Sequence, residues 1–300
     1  MARLVFLGTP PAAAVSLEAL VHAGHDVVLV VSRADARRGR GTTHSPSPVK
    51  RAALELGIEV TDRLDDLPAT GAELGVVVAY GRLVPGRILD VLPMVNVHFS
   101  LLPRWRGAAP VERAVLAGDT ETGVGLMRLE QSLDTGPVLA QRRVTIGARE
   151  HVSALTNRLA TIGAELLVDT LAVGVDSLPA GAAQQGEPTY AEKVRPEELR
   201  LNWWRAASEL ERVVRLDRAW TTFRHERLRV LDAVVRSGPL SDENSDAPVV
   251  PGTLEQVAVR TGDGVLELVE VQPAGKRPMS ASAWCRGVRV EAGETLGGDE

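Results

Sequence analysis

Asn96-Val97-His98 places an amide and an imidazole two residues apart, and a loop rich in Pro and Gly, Ser100 to Pro110, follows at once. Alternate residues of a strand share a face, so Asn96 and His98 project together while Val97 and Phe99 face the other way. A second loop-forming tetrapeptide, Leu133-Asp134-Thr135-Gly136, supplies a carboxylate. Brought to the strand end, Asp134 would complete a set of three. Asn96 would donate to an oxygen gaining negative charge, His98 would act as acid or base, and Asp134 would orient the ring. That is the minimum equipment for moving an acyl group onto an amine. The blander readings are a packed, hydrogen-bonded histidine and an aspartate that caps a turn.

The elements that must position these residues alternate between strand-like and helix-like segments. Leu4–Leu7, Val27–Val31, Gly75–Ala79 and Val95–His98 are short Val/Leu runs without strict alternation, as suits strands buried on both faces of a parallel sheet. Ala12–Ala23 and Pro48–Leu56 read as helices between them, the second with Pro at its first turn. Gly123–Leu129 and Pro137–Ile146 read as a later pair of strands around the Asp134 loop, and His151–Val173 as a long closing helix. This alternation predicts an α/β, doubly wound, Rossmann-like parallel sheet over residues 1–187. Residues 188–202 read as a linker. In 203–300, an amphipathic helix over Trp203–Val214 precedes short strands at Arg227–Val235, Gly252–Val259, Gly264–Val271 and Gly287–Val290, a spacing that suggests a small OB-like β-barrel.

Composition narrows the class. Three hundred residues, 44% apolar and 24% charged, are ordinary for a globular protein, and no apolar run approaches the ~20 residues that cross a bilayer. Cys285 is the single cysteine, so no intrachain disulfide can form and a cytoplasmic location is expected. The net charge of −5 conceals two basic tracts: residues 33–51 carry six basic side chains against Asp35, and residues 193–236 carry eleven against seven acids. Local fields of this kind, rather than the total, govern polyanion binding. Gly8-Thr9-Pro10 lacks the G-x-G-x-x-G and P-loop spacings, so a dinucleotide or ATP is not expected. The scattered histidines offer no metal-ligand spacing, and no metal is expected.

The run from Asn96 to Pro110, taken with Leu-Asp-Thr-Gly at 133–136, resembles the 10-formyltetrahydrofolate-dependent formyltransferases. Further matches lie at Gly8-Thr-Pro10, Ser45-Pro-Ser-Pro-Val-Lys50, Val78-Ala-Tyr-Gly81, Thr189-Tyr-Ala-Glu-Lys193 and Gln272-Pro-Ala-Gly-Lys276, nearly the whole chain. Phe99 departs from the small residue common there, on the face opposite Asn96 and His98. The resemblance implies catalysis by Asn96, His98 and Asp134, and 10-formyltetrahydrofolate as co-substrate, with Ser100, Leu101, Leu102 and Pro103 lining its site. The C-terminal matches point to the tRNA-acting branch. They imply initiator methionyl-tRNA as acceptor and a basic loop carrying Arg33, Arg37, Arg38 and Arg40 as its contact; a monomer with no membrane partner is expected. Three other readings stay open at this level: a relative acting on another amine, a non-catalytic RNA-binding protein, and a folate hydrolase.

Overall fold

Leu4, Val5, Phe6 and Leu7 are all fully buried, because the strand that they form lies inside a sheet covered on both faces. The computed structural model describes residues 1–37, 44–237, 250–291 and 293–298. Contacts divide the chain into two compact units. The first comprises Met1–Arg113, Thr120–Ile146 and Ala154–Lys193; the second comprises Ala114–Asp119, Gly147–Ser153 and Val194–Glu300.

In the first unit, β1 (Arg3–Gly8), β2 (Asp26–Val31), β3 (Val60–Thr61), β4 (Leu74–Val78) and β5 (Met94–His98) run parallel in the order β5-β4-β1-β2-β3. Helix α1 (Pro11–His22) opens with Pro at its first turn, and α2 (Pro48–Glu55) is capped by the Ser47 hydroxyl, which accepts from the Lys50 N–H. The sheet is mixed rather than wholly parallel: β6 (Glu121–Arg128) runs antiparallel to β5, and β7 (Val138–Thr145) antiparallel to β6. Strand order reverses at β1, so a crevice opens between the carboxyl ends of β1 and β4, the usual ligand position in such sheets. There the Thr9 hydroxyl donates to the Tyr80 carbonyl at 3.3 Å.

Val97, on the far face of β5, and Phe99 just after it meet helix α3 (Val152–Leu171) at a glycine. A Cβ on Gly163 would lie 2.9 Å from Val97 Cγ1 and 3.2 Å from Val124 Cγ1. The helix therefore lies close against the sheet, and Phe99 fills the same layer, 3.5 Å from that position.

The second unit contains a six-stranded antiparallel sheet. Its strands are β8 (Trp220–Phe223), β9 (Glu226–Arg236), β10 (Leu254–Glu255), β11 (Ala258–Arg260), β12 (Val265–Pro273) and β13 (Met279–Ser280). Its core gathers Trp203, Leu210, Val213, Phe223, Leu266 and Trp284. Three segments differ from expectation. Helix α4 covers Ala207–Val214 only, because the chain before it is held by a loop: the Gly262 N–H donates to the Trp203 carbonyl and the Ala207 N–H to the Asp263 carbonyl. Gly252–Val259 is broken into β10 and β11 by a tight turn with Gln256 at φ 56°. Gly287 and Val288 end helix α5 (Ala281–Val288) instead of opening a strand. The period-2 look of Val288-Arg-Val290 loses to the helical spacing of buried Ala281, Trp284 and Cys285, with Ser280 as N-cap.

The contact at Gly163 is testable. Gly163→Leu is expected to destabilise the protein by about 1–3 kcal/mol through overpacking, read as a lowered midpoint of thermal unfolding. An unchanged midpoint would mean that the helix does not lie against Val97.

Candidate active site

Asn96 and His98 are polar and nearly buried, 8% and 5% exposed, yet the face that bears them lines a cleft of about 550 Å³. The other walls come from Thr9 and Pro10 after β1, the Ala79–Val84 segment after β4, and the Leu129–Asp134 loop after β6. That last loop starts at the wrong end of β5: the Leu129 N–H donates to the Met94 carbonyl, at the beginning of the strand. From there it must fold back along the face that bears Asn96 and His98 before Asp134 can reach the histidine.

The three expected catalytic residues do come together. His98 Nε2 lies 2.8 Å from the Trp105 carbonyl, and since a carbonyl only accepts, that nitrogen carries the hydrogen. Nδ1 faces Asp134 Oδ2 at 3.7 Å, an ionic approach longer than a hydrogen bond. Asp134 Oδ2 is instead taken by the Gly107 N–H, at 2.8 Å. The Asn96 amide has no hydrogen-bond partner among the described residues, and neither has Asp134 Oδ1. A ligand entering the cleft therefore meets a free amide, an uncommitted ring nitrogen and a free carboxylate oxygen.

Backbone conformations that few residues adopt build this arrangement. Trp105 and Asp134 both sit at positive φ, 63° and 51°, and Gly107 lies at 124°. A Cβ on Gly107 would come 2.8 Å from the Ala191 carbonyl, and one on Gly136 would overlap the Arg128 carbonyl. Only glycine allows the Asp134 loop to press against the end of β6 in this way. A strap from Pro179 to Ala191 holds both loops from outside. The Thr189 hydroxyl accepts from the Trp105 N–H, the Ala191 carbonyl from those of Ala108 and Ala109, and Gln184 reaches across between them.

The other expected positions divide. Ser100–Pro103 is not part of the cleft lining. The Ser100 hydroxyl donates to the Arg104 carbonyl, and Leu101 packs where a Gly123 side chain would be. The segment thus shapes the turn that carries Trp105. Arg33 lies on the cleft, its guanidinium donating to the Gly81 carbonyl at 2.6 Å. Arg37 falls in a two-residue strand, and Arg38 and Arg40 lie outside the described residues. Sequence reading gave no role to Tyr80, Arg82 or Lys193, although two of the three lie in quoted motifs; all three line the cleft. Burial pushes the Tyr80 phenol pKa up, against a smaller downward pull from the neighbouring Arg82. Among the described residues no group of three His, Cys, Asp or Glu could hold a metal, and no helix is long and apolar enough to cross a membrane.

Residues 2–171 match the formyl transferase family, and residues 193–289 match the formyl transferase C-terminal domain. A methionyl-tRNA formyltransferase from Clavibacter michiganensis subsp. michiganensis is 45% identical, covering 95% of this chain and 97% of its own. The chain belongs to the methionyl-tRNA formyltransferase family. The member from Roseobacter denitrificans is 41% identical over 99% of both chains. In fold, 98% of the chain superposes on HypX from Aquifex aeolicus with a TM-score of 0.64 at 16% identity, spanning about half (48%) of that longer protein.

For this member of the formyltransferases, the glycine of Leu-Asp-Thr-Gly carries a prediction. Gly136→Ala is expected to lower the thermal midpoint by several degrees, because a backbone carbonyl must move to admit the methyl group. Gly287→Ala, a helical site with open space around it, serves as control and should leave the midpoint level or raise it slightly. Equal midpoints for both variants would refute the close approach at Gly136.

Proposed function

We propose that this protein transfers the formyl group of 10-formyltetrahydrofolate to the α-amino group of methionine esterified to initiator tRNA, yielding N-formylmethionyl-tRNA. One observation carries the reading: Asn96, His98 and Asp134 meet on a single cleft, in a chain that matches methionyl-tRNA formyltransferases end to end. The cleft suits the donor. Its volume lies within the range of small-molecule sites. Val84, Leu83 and Leu133 offer apolar wall to a flat ring, and Arg33, Arg82 and Lys193 outnumber Glu130 and Asp134 around an anionic molecule. Ser100–Pro103 then serves the folate site indirectly, through the turn that carries Trp105.

The chemistry asks little of a base at first. A free α-amino group has a pKa of roughly 7.7–8.0, so a useful fraction is neutral near pH 7. As its lone pair adds to the formyl carbon, the carbonyl oxygen takes the negative charge. The unpartnered Asn96 amide is placed to donate to that oxygen, and His98 Nδ1 beside it donates as well when the ring is the imidazolium. Asp134 Oδ1 is free to take the proton released by the amine, directly or through a water. The carbon–nitrogen bond to the folate then breaks as that proton passes from Asp134 to the folate nitrogen, which leaves as the amine and returns the carboxylate to its starting state.

The acceptor tRNA meets the basic tracts. Arg33 stands on the cleft wall, and in the sequence it precedes Arg37, Arg38 and Arg40, which we assign to the same contact with the tRNA. In the second unit Trp220 lies under the guanidinium of Arg227, 4.4 Å from the ring centroid, leaving cationic surface for phosphates. The protein works as a cytoplasmic monomer.

Formyl transfer to methionine charged on initiator tRNA, with charged elongator tRNA as control, tests the reading. Asn96→Ala is expected to lose ~10²–10³ in kcat, the usual loss on removing one oxyanion donor, and His98→Ala to lose at least as much. Donor consumption at one rate with or without tRNA would instead identify a hydrolase.

A further inference from the structure

The Gln184 amide uses its full hydrogen-bonding capacity on the two loops that carry the site. Its Nε2 donates twice, to the Asp134 carbonyl at 2.8 Å and the Gly136 carbonyl at 2.9 Å. Its Oε1 accepts twice, from Arg106 Nε at 3.0 Å and Nη2 at 2.6 Å. An amide has two donor hydrogens and two acceptor lone pairs, so none remains and the side chain can hold one orientation only. The backbone that presents it is equally fixed. Ala182 and Val138 exchange both of their N–H···O bonds at 2.8 Å, and the Arg128 guanidinium donates to the Pro179 and Ala180 carbonyls.

Arg106 lies between Trp105, whose carbonyl holds His98, and Gly107, whose N–H holds Asp134. Gln184 therefore grips both sides of the His98–Asp134 pair, one through Arg106 and the other through the backbone of Asp134 itself. We propose that Gln184 is a positioning residue for the reaction: it sets the separation of the two loops and so places Asp134 Oδ2 against the Gly107 N–H and His98 Nδ1. It does not line the cleft. The inference rests on the formyl-transfer reading for its catalytic consequence but not for its structural one.

Gln184→Glu separates the two grips. A carboxylate keeps the acceptor for Arg106, but turns an oxygen toward the Asp134 and Gly136 carbonyls where two donors stood. The first readout is amide hydrogen exchange, which needs no activity. The Gly107 N–H, which reports on Asp134, should exchange at least tenfold faster, while the Ala108 and Ala109 N–H groups, held by the Ala191 carbonyl, keep their rates. Unchanged protection of Gly107, or a common loss at all three, would overturn the proposal. The second readout is formyl transfer: kcat should fall about tenfold with both KM values within twofold. In an Asp134→Asn background the same change should cost less than twofold, whereas fully additive losses would overturn the coupling. Unaltered protein that transfers no formyl group would count against the proposed function, and the exchange result would still decide the role of Gln184.

Discussion

The hydrogen bond from the Gly107 N–H to Asp134 Oδ2 joins two loops that leave the sheet at opposite ends of one strand. A buried carboxylate is costly unless its oxygens are satisfied, and this bond satisfies one while leaving the other open to the cleft. Everything special about the surroundings serves that contact. The positive φ of Trp105, Gly107 and Asp134 bends both loops toward it, and the absence of a side chain at Gly136 lets the Asp134 loop settle on the Arg128 carbonyl. His98 gains its orientation from the same loop, through the Trp105 carbonyl.

The cost of this preorganisation is carried by the strap outside the two loops and by the packing behind β5. The Trp105 and Asp134 conformations are ones that side chains rarely adopt, and each needs the surroundings to over-determine it. The strap from Pro179 to Ala191 does so with backbone pairing at both ends and side-chain bonds from Gln184 and Thr189 between. Below the strand, Val97 and Phe99 are wedged against Gly163 of the helix. Asn96 and His98 are thus backed by packing, and His98 is also held from the side by its bond to the Trp105 carbonyl, while their polar face lines the cleft.

Much of this was legible beforehand, because it follows from short-range rules. The period of a strand put Asn96 and His98 on one face, and the Val/Leu runs marked the buried strands close to their observed ends. Asp134 was legible only as a loop residue of the right chemistry; nothing local says that its loop doubles back from Leu129 along the face of β5. Gln184 carried no signal, since a glutamine in a turn-rich stretch looks like a solvated loop until its four partners are known. The helix at Ala281–Val288 was hidden for a different reason. Val288-Arg-Val290 alternates like a strand, and only the burial of Trp284 against Phe223, 5.0 Å between ring centroids, shows which period prevails.

Because β6 runs against β5, Asp134 is delivered to His98 by way of a single ladder, in which His98 stands opposite Gly125 and Val95 opposite Arg128. A slip of one residue there would turn the polar face of β5 to the wrong side of its neighbour. A slip of two would restore the faces but carry the loop about 7 Å along the strand, leaving the histidine without its carboxylate. Assembly of the site is thus a checksum on strand registration: the pairing of β1 to β5 leaves it untested, and the site is complete only when β6 pairs with β5 in frame.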